Sequence, residues 1–195
     1  MKNFKKDSAG GEAVGQKCGA AVPGRYVDLT LDAGFKAVFA DRGNKALLIG
    51  LLNVLLPPEA KVEDILEYID RETGPDFLDG KTTRMDLVCR GEDSRTFIVE
   101  MQREPENAFF ERCMYYGAGV YHTGLLSRET YKDDLKAVYI VGILNYSLPH
   151  EDESLWNSDN IVSCYRFIES RTGEVAPDTI LCIFAELERF TKSAA

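Results

Sequence analysis

The stretch TTRMDLVCRGEDSRTFIVEMQ, residues 82–102, decides the fold that this sequence predicts. Its halves, 82–90 and 95–102, have the length and composition of strands, and the turn-like segment GEDS separates them. Each half carries a carboxylate inside an apolar run, Asp86 in the first and Glu100 in the second. A buried carboxylate is costly unless something pairs with it, so these two acids point to a functional site.

The alternation of side chains predicts the register of this hairpin. If Gly91 pairs with Arg95 across a three-residue loop, Asp86 lies opposite Glu100, on the same face as Gln102. The other face is then wholly apolar, whereas a slip of one residue mixes polar and apolar groups on both faces, which buried sheets resist. We therefore predict the register that pairs the two acids. The residues of the predicted apolar face are Met85, Leu87, Cys89, Phe97, Val99 and Met101.

Two carboxylates in opposite positions of a hairpin have Cβ atoms about 5 Å apart and repel each other. A cation between them removes this repulsion, and carboxylate oxygens suit Mg²⁺ or Mn²⁺. Asp86 and Glu100 therefore indicate a divalent-metal site. A solvated hairpin face with incidental acids is the alternative that the residues alone leave open. In the predicted register, Arg84 lies opposite Gln102.

The composition limits which classes of protein this sequence can belong to. With 195 residues, 45% of them hydrophobic and 28% charged, the chain is long enough for one globular domain with a sizeable core. The net charge of −9 argues against broad electrostatic attraction to nucleic acid or anionic membranes, but it allows a local basic patch. Five cysteines without a CxxC pair predict neither a disulfide framework nor a zinc site. No apolar run is long enough to span a bilayer, so we expect a cytoplasmic protein without a membrane partner.

Periodicity predicts a flexible leader over residues 1–24 and a single domain over 25–195. The order of elements indicates an α/β or α+β domain, in which helices pack on a mixed sheet. The other predicted elements are a helix capped by Thr30 or Asp32, with Phe35, Val38 and Phe39 on its buried face, a helix over 45–55, a helix over 105–126, and strands over 136–144, 161–169 and 179–187. The segment 62–69 is ambiguous between strand and helix, and we favour a strand that ends near Ile69.

Four stretches in this order resemble the PD-(D/E)XK nuclease superfamily, and within it the PD-(D/E)XK nuclease family transposases, which include the Rpn-type recombination-promoting nucleases. The stretches are DAGFKAVF at 32–39, the leucine-rich helix at 44–55, Asp86 with IVEMQ at 98–102, and FER at 110–112 followed by Tyr115 and Tyr116. The similarity runs from about residue 26 to residue 190. It implies the restriction-endonuclease-like αβββαβ core, a mixed sheet flanked by helices.

The resemblance also implies a metal-dependent phosphodiesterase site. Asp86 and Glu100 correspond to the two metal-binding acids, with the Met101 carbonyl as a further ligand and Mg²⁺ or Mn²⁺ as the cofactor. Gln102 stands where many superfamily members carry lysine, and it supplies no positive charge.

On the first helix, the resemblance marks Asp32 and Lys36 as further site residues. Lys36 and Arg84 are the candidates to compensate for the missing charge and to bind the substrate.

The function predicted from these features is a Mg²⁺-dependent DNA endonuclease, a hydrolase associated with mobile elements and DNA recombination. A catalytically inactive nuclease-fold module that binds nucleic acid or protein is the alternative. A carboxylate-pair glycoside hydrolase fits the opposed acids, but with one tryptophan the chain lacks an aromatic-rich sugar cleft. His122 and His150 have no recognisable partner motif, so a histidine mechanism is not predicted.

The sequence leaves the oligomeric state, DNA versus RNA as substrate, and catalytic competence open, with a homodimer among the alternatives. The chain ends soon after Phe190, whereas relatives of this kind often continue, so a short family member and a C-terminally truncated domain are both open.

Overall fold

The computed structural model describes residues 26–69, 85–124, 131, 135–156, 159–177 and 179–191. The predicted leader and Arg84 lie outside these ranges. The helices are α1 (Asp32–Phe39), α2 (Lys45–Leu55) and α3 (Phe109–Thr123). The strands are β1 (Ile65–Tyr68), β2 (Leu87–Gly91), β3 (Thr96–Gln102), β4 (Val138–Leu144), β5 (Val162–Tyr165) and β6 (Ile180–Glu186).

Within the described ranges, the strands form one mixed sheet with the order β1-β2-β3-β4-β6-β5. The pairs β3–β4 and β4–β6 are parallel, and the pairs β1–β2, β2–β3 and β5–β6 are antiparallel. The carboxyl ends of β3, β4 and β6 therefore meet at one edge of the sheet. This architecture confirms the predicted α+β class with helices on a mixed sheet.

Helices cover both faces of the sheet. Helices α1 and α2 pack one apolar cluster, in which Phe35, Leu48 and Leu52 contact the sheet residues that include Phe97 and Val99. Helix α3 packs the opposite cluster, which contains Phe109, Cys113, Tyr116, Val88, Ile98, Ile140 and Phe184. All seven residues of β4 are buried, as expected for a strand that is covered on both faces. Among the described residues, no helix combines the length and the hydropathy that crossing a membrane requires.

The β2–β3 hairpin has the predicted register. Its paired residues run from Leu87 opposite Val99 to Arg90 opposite Thr96. The Gly91 N–H donates to the Arg95 carbonyl at 2.9 Å and closes the three-residue loop. In that loop Ser94 has a φ of +67°, the left-handed conformation that such loops use.

Four local predictions were wrong. The helix predicted over 105–126 begins only at Phe109, and the strand predicted over 161–169 ends at Tyr165. Met85 precedes β2 and packs in the cluster under α3, not on the α1–α2 face. The alternation of a strand does not apply to a residue outside it. Neither Thr30 nor Asp32 caps α1, because the N-cap residue is Leu31 and the Thr30 hydroxyl donates to Asp28 at 2.7 Å.

The glycine at position 142 of β4 allows aromatic rings to approach the centre of the sheet. A Cβ atom there would lie 2.8 Å from Phe184 Cδ1 and 3.2 Å from Phe109 Cζ. Gly142 pairs with Glu100 of β3. The approach of Phe109 to Gly142 therefore holds the start of α3 near Glu100.

We expect Gly142→Ala to lower the free energy of unfolding by about 1–3 kcal/mol, because the added methyl overpacks two buried rings. The control is Gly50→Ala in α2, where a Cβ has nothing within 4 Å. Gly50→Ala should raise the free energy of unfolding by about 0.5–1 kcal/mol, because alanine is more favourable than glycine within a helix. Urea unfolding at one pH measures both. Equal stabilities of the Gly142 variant and the wild type would contradict the packing argument.

Candidate active site

The two acids of the hairpin meet at the carboxyl end of β3. Asp86 directly precedes β2, and Glu100 lies in β3. The Asp86 N–H donates to Glu100 Oε1 at 3.3 Å, and the Met101 N–H donates to Asp86 Oδ2 at 2.9 Å. Only 7% of Asp86 and 3% of Glu100 is exposed. Two neighbouring carboxylates are thus buried at the end of one strand pair.

Helix α1 brings a cation and a third carboxylate to this pair. Phe35 anchors the helix in the core, and the next residue, Lys36, places its Nζ 3.1 Å from Asp86 Oδ1. Lys36 also forms an ion pair with Asp32, four residues earlier on the same helix face. The structure therefore brings together Asp32, Lys36, Asp86 and Glu100, which are separated by up to 68 positions in the sequence.

The surroundings shift the pKa of both buried acids upwards. For Asp86, burial raises the pKa most. The Met101 N–H and Lys36 lower it, and a hydrogen bond with Asp32 raises it. For Glu100, burial and then the charge of Asp86 raise the pKa to about 8, against the lowering effects of Arg112 and Lys36. Burial therefore favours the protonated form of Glu100.

Gln102 closes β3 on the same face as Glu100. Its Nε2 lies 3.5 Å from Glu100 Oε2, the limit of a hydrogen bond. The backbone carbonyl of Gln102 accepts the Asn145 N–H at 2.8 Å, which fixes the end of β3 to the residue that follows β4. The Met101 N–H faces Asp86, and the Met101 carbonyl lies on the same side of the strand. One amide and one backbone carbonyl therefore border the acid pair.

A second buried glutamate offers an instructive contrast. Glu186 ends β6 at the same sheet edge, two strands from Gln102, and it is 0% exposed. It accepts the Leu148 N–H and the Arg189 Nε–H, each at 2.8 Å, and His150 Nε2 lies 2.7 Å from its other oxygen. Glu186 has strong partners on both oxygens, so it acts as a structural anchor. It is also a partner for His150, for which no motif in the sequence predicted one.

In the sequence, Arg112 belongs to the FER stretch that carries the resemblance, but no role at the site was predicted for it. Its charge acts on Glu100, and its guanidinium pairs with Glu106. The available signal was helical spacing. Arg112 follows the buried Phe109 by three positions and precedes the buried Cys113 by one, so it borders the buried face of the helix.

The donor set fits a hard divalent cation. Mg²⁺ commonly takes one or two protein carboxylates together with water and phosphate oxygens. Asp86 and Glu100 provide two such carboxylates, and Glu100 lacks the strong partners that Glu186 has. Among the described residues, no group of three or more His, Cys, Asp or Glu side chains has a metal-binding arrangement.

The raised pKa of Glu100 predicts a pH-dependent stability. Between about pH 4.5 and pH 8, the native protein retains a proton that the unfolded chain has released. The stability from this group is therefore fully present below pH 4.5 and is lost as the pH rises towards 8, by at most about 1.4 kcal/mol per pH unit. Glu100→Gln should remove this contribution. Urea unfolding in EDTA from pH 5 to pH 8 measures it, and parallel curves for the wild type and Glu100→Gln would contradict the raised pKa.

Comparison with known proteins identifies the family of this chain. A family model described as PD-(D/E)XK nuclease family transposase matches residues 29–195, and this range contains every site residue named above. Searches of curated proteins and of solved structures gave no match. The match covers most of the chain, and the family supports a nuclease-related function and generally uses divalent metals. The chain therefore belongs to the PD-(D/E)XK nuclease family transposases.

Proposed function

We propose that this protein is a metal-dependent DNA endonuclease, with Asp86 and Glu100 as the residues that hold a divalent cation, Mg²⁺ or Mn²⁺. The observation that carries the proposal is the burial of two adjacent carboxylates beside a lysine at one edge of the sheet. Burial of two like charges is unfavourable unless a cation or a proton compensates. Family membership supports the nuclease class.

The proposed reaction is hydrolysis of a phosphodiester. The oxygen of a water forms a bond to phosphorus, a phosphorus–oxygen bond to one sugar breaks, and the leaving oxygen receives a proton from the water. A bound divalent ion lowers the pKa of such a water and stabilises negative charge on the phosphate. Asp86, Glu100 and the Met101 carbonyl are the proposed ligands. Gln102 can orient a water through its side-chain amide, but it adds no charge.

Lys36 is the proposed source of positive charge on the α1 side. Its Nζ already contacts Asp86, so it stands next to the proposed cation site. Asp32 pairs with the same ammonium and holds it in place. Arg84, the other candidate from the sequence, lies outside the described residues, and its substrate-binding role stays a proposal.

A non-catalytic module that binds nucleic acid or protein is the second candidate, and Gln102 in the place of a lysine favours it. Isothermal titration with Mn²⁺ separates the two. A nuclease should bind Mn²⁺ through Asp86, and Asp86→Asn should abolish the binding. A wild type without Mn²⁺ affinity would favour the non-catalytic module.

The direct test is cleavage of supercoiled plasmid with Mg²⁺, Mn²⁺ or EDTA. We expect metal-dependent nicking by the wild type and its loss in Glu100→Ala, because the variant lacks one of the two ligands. The matched control is Glu174→Ala, which removes an exposed glutamate between β5 and β6 and should cleave at the wild-type rate. Cleavage by Glu100→Ala at the wild-type rate would contradict the proposed site.

Lys36→Met should slow plasmid cleavage by about 10²-fold, the usual effect of removing one charge-stabilising donor. Lys45→Met is the control, because Lys45 forms a comparable ion pair with Asp64 at the start of α2. Initial rates at saturating metal measure both variants. Equal rates for the two variants would exclude a catalytic role for Lys36.

A further inference from the structure

We propose that Arg112 binds a phosphate group of the nucleic-acid substrate beside the Asp86–Glu100 pair. This inference rests on the proposed nuclease function and extends it to a residue of α3. A phosphodiester under attack gains negative charge, which needs donors aimed at its oxygens. Gln102 cannot supply a charge, and Lys36 is shared between two carboxylates. Arg112 adds a cation from α3, which packs on the face of the sheet opposite α1 and α2.

Packing fixes the position of Arg112. Its guanidinium carbon lies 5.5 Å from the centre of the Phe109 ring, within the range of a cation–π contact. Phe109 is buried, and its Cζ would lie 3.2 Å from a Cβ at Gly142, the residue that pairs with Glu100. The ring is therefore one strand away from Glu100, and the guanidinium stands over the ring. The position of Arg112 is thus set by the core rather than by solvent. A phosphate bound next to Glu100 would therefore lie one strand from the ring on which the Arg112 guanidinium stacks.

The present partner of Arg112 is the carboxylate of Glu106, which offers a pair of oxygens as the proposed phosphate would. Glu106 lies between β3 and α3 and is 43% exposed in its side chain. A carboxylate and a phosphate both present two oxygens to the fork of a guanidinium. An ion pair with an exposed partner has a small net stability, so a phosphate can replace Glu106 at little cost. The side chain of Arg112 is 27% exposed and is thus accessible to a ligand.

The test uses three variants of the full chain and measures binding separately from cleavage. Arg112→Met keeps an unbranched stem over Phe109 but removes the charge, and Arg112→Lys restores a charge. Arg90→Met is the matched control, because Arg90 also pairs with a glutamate, Glu67, but lies at the opposite end of β3, beside Thr96. Circular dichroism and thermal midpoints verify that all three fold.

Fluorescence anisotropy with a labelled duplex in EDTA measures affinity over a series of KCl concentrations. For Arg112→Met, the slope of log K against log salt should be shallower than the wild-type slope by about 0.9, the value for one lost phosphate contact. Arg90→Met should keep the wild-type slope. In plasmid cleavage, Arg112→Met should lose about 10²-fold in kcat, and Arg112→Lys should recover most of it.

Glu106→Gln tests the same idea in the opposite direction. Because it removes the charge that competes with the phosphate, this variant should bind the duplex a few-fold more tightly than the wild type. A purely structural ion pair would instead make Glu106→Gln and Arg112→Met resemble each other, with lower thermal midpoints and unchanged salt slopes.

Two outcomes overturn the inference, and they differ from each other. If the wild type cleaves DNA and Arg112→Met matches Arg90→Met in slope and rate, the role of Arg112 is wrong and the nuclease function stands. If the wild type neither binds nor cleaves DNA, the proposed function fails, and the role of Arg112 fails with it.

Discussion

The burial of two carboxylates side by side is the constraint on which the rest of the site depends. Asp86 and Glu100 are both more than nine-tenths buried, and each accepts a backbone N–H from the other's strand region. Burial, and after it the charge of Asp86, raises the pKa of Glu100 to about 8. The surrounding elements supply the missing positive charge, Lys36 from α1 and Arg112 from α3.

Glu100 and Glu186, the two buried glutamates at this edge of the sheet, have different hydrogen-bond partners. Glu186 receives two N–H donors and stands against His150, which ties the chain after β4 to the end of β6. Glu100 has one backbone donor at 3.3 Å and a distant amide from Gln102. A saturated carboxylate stabilises a structure, whereas an unsaturated one retains capacity for a ligand. This contrast separates a structural acid from a candidate metal ligand within one sheet.

The topology explains why the site lies where it does. Parallel pairing of β3, β4 and β6 brings their carboxyl ends to one edge, and α3 begins close to that edge because Gly142 admits the rings of Phe109 and Phe184. Helix α1 approaches the other side of the hairpin through Phe35. The acid pair therefore lies between two helices that approach opposite faces of the sheet, with Lys36 of α1 in contact with Asp86 and Arg112 of α3 stacked on Phe109.

The sequence by itself determined the hairpin, its register and the pairing of Asp86 with Glu100, because alternation along a strand and the length of a turn are local properties. It also predicted α2 and the mixed sheet. Only the tertiary structure decided that Arg112 stacks on Phe109, that Glu186 pairs with His150, and that Met85 packs under α3. The last two depend on contacts between elements far apart in the chain, and local periodicity carries no information about which helix face meets which strand end.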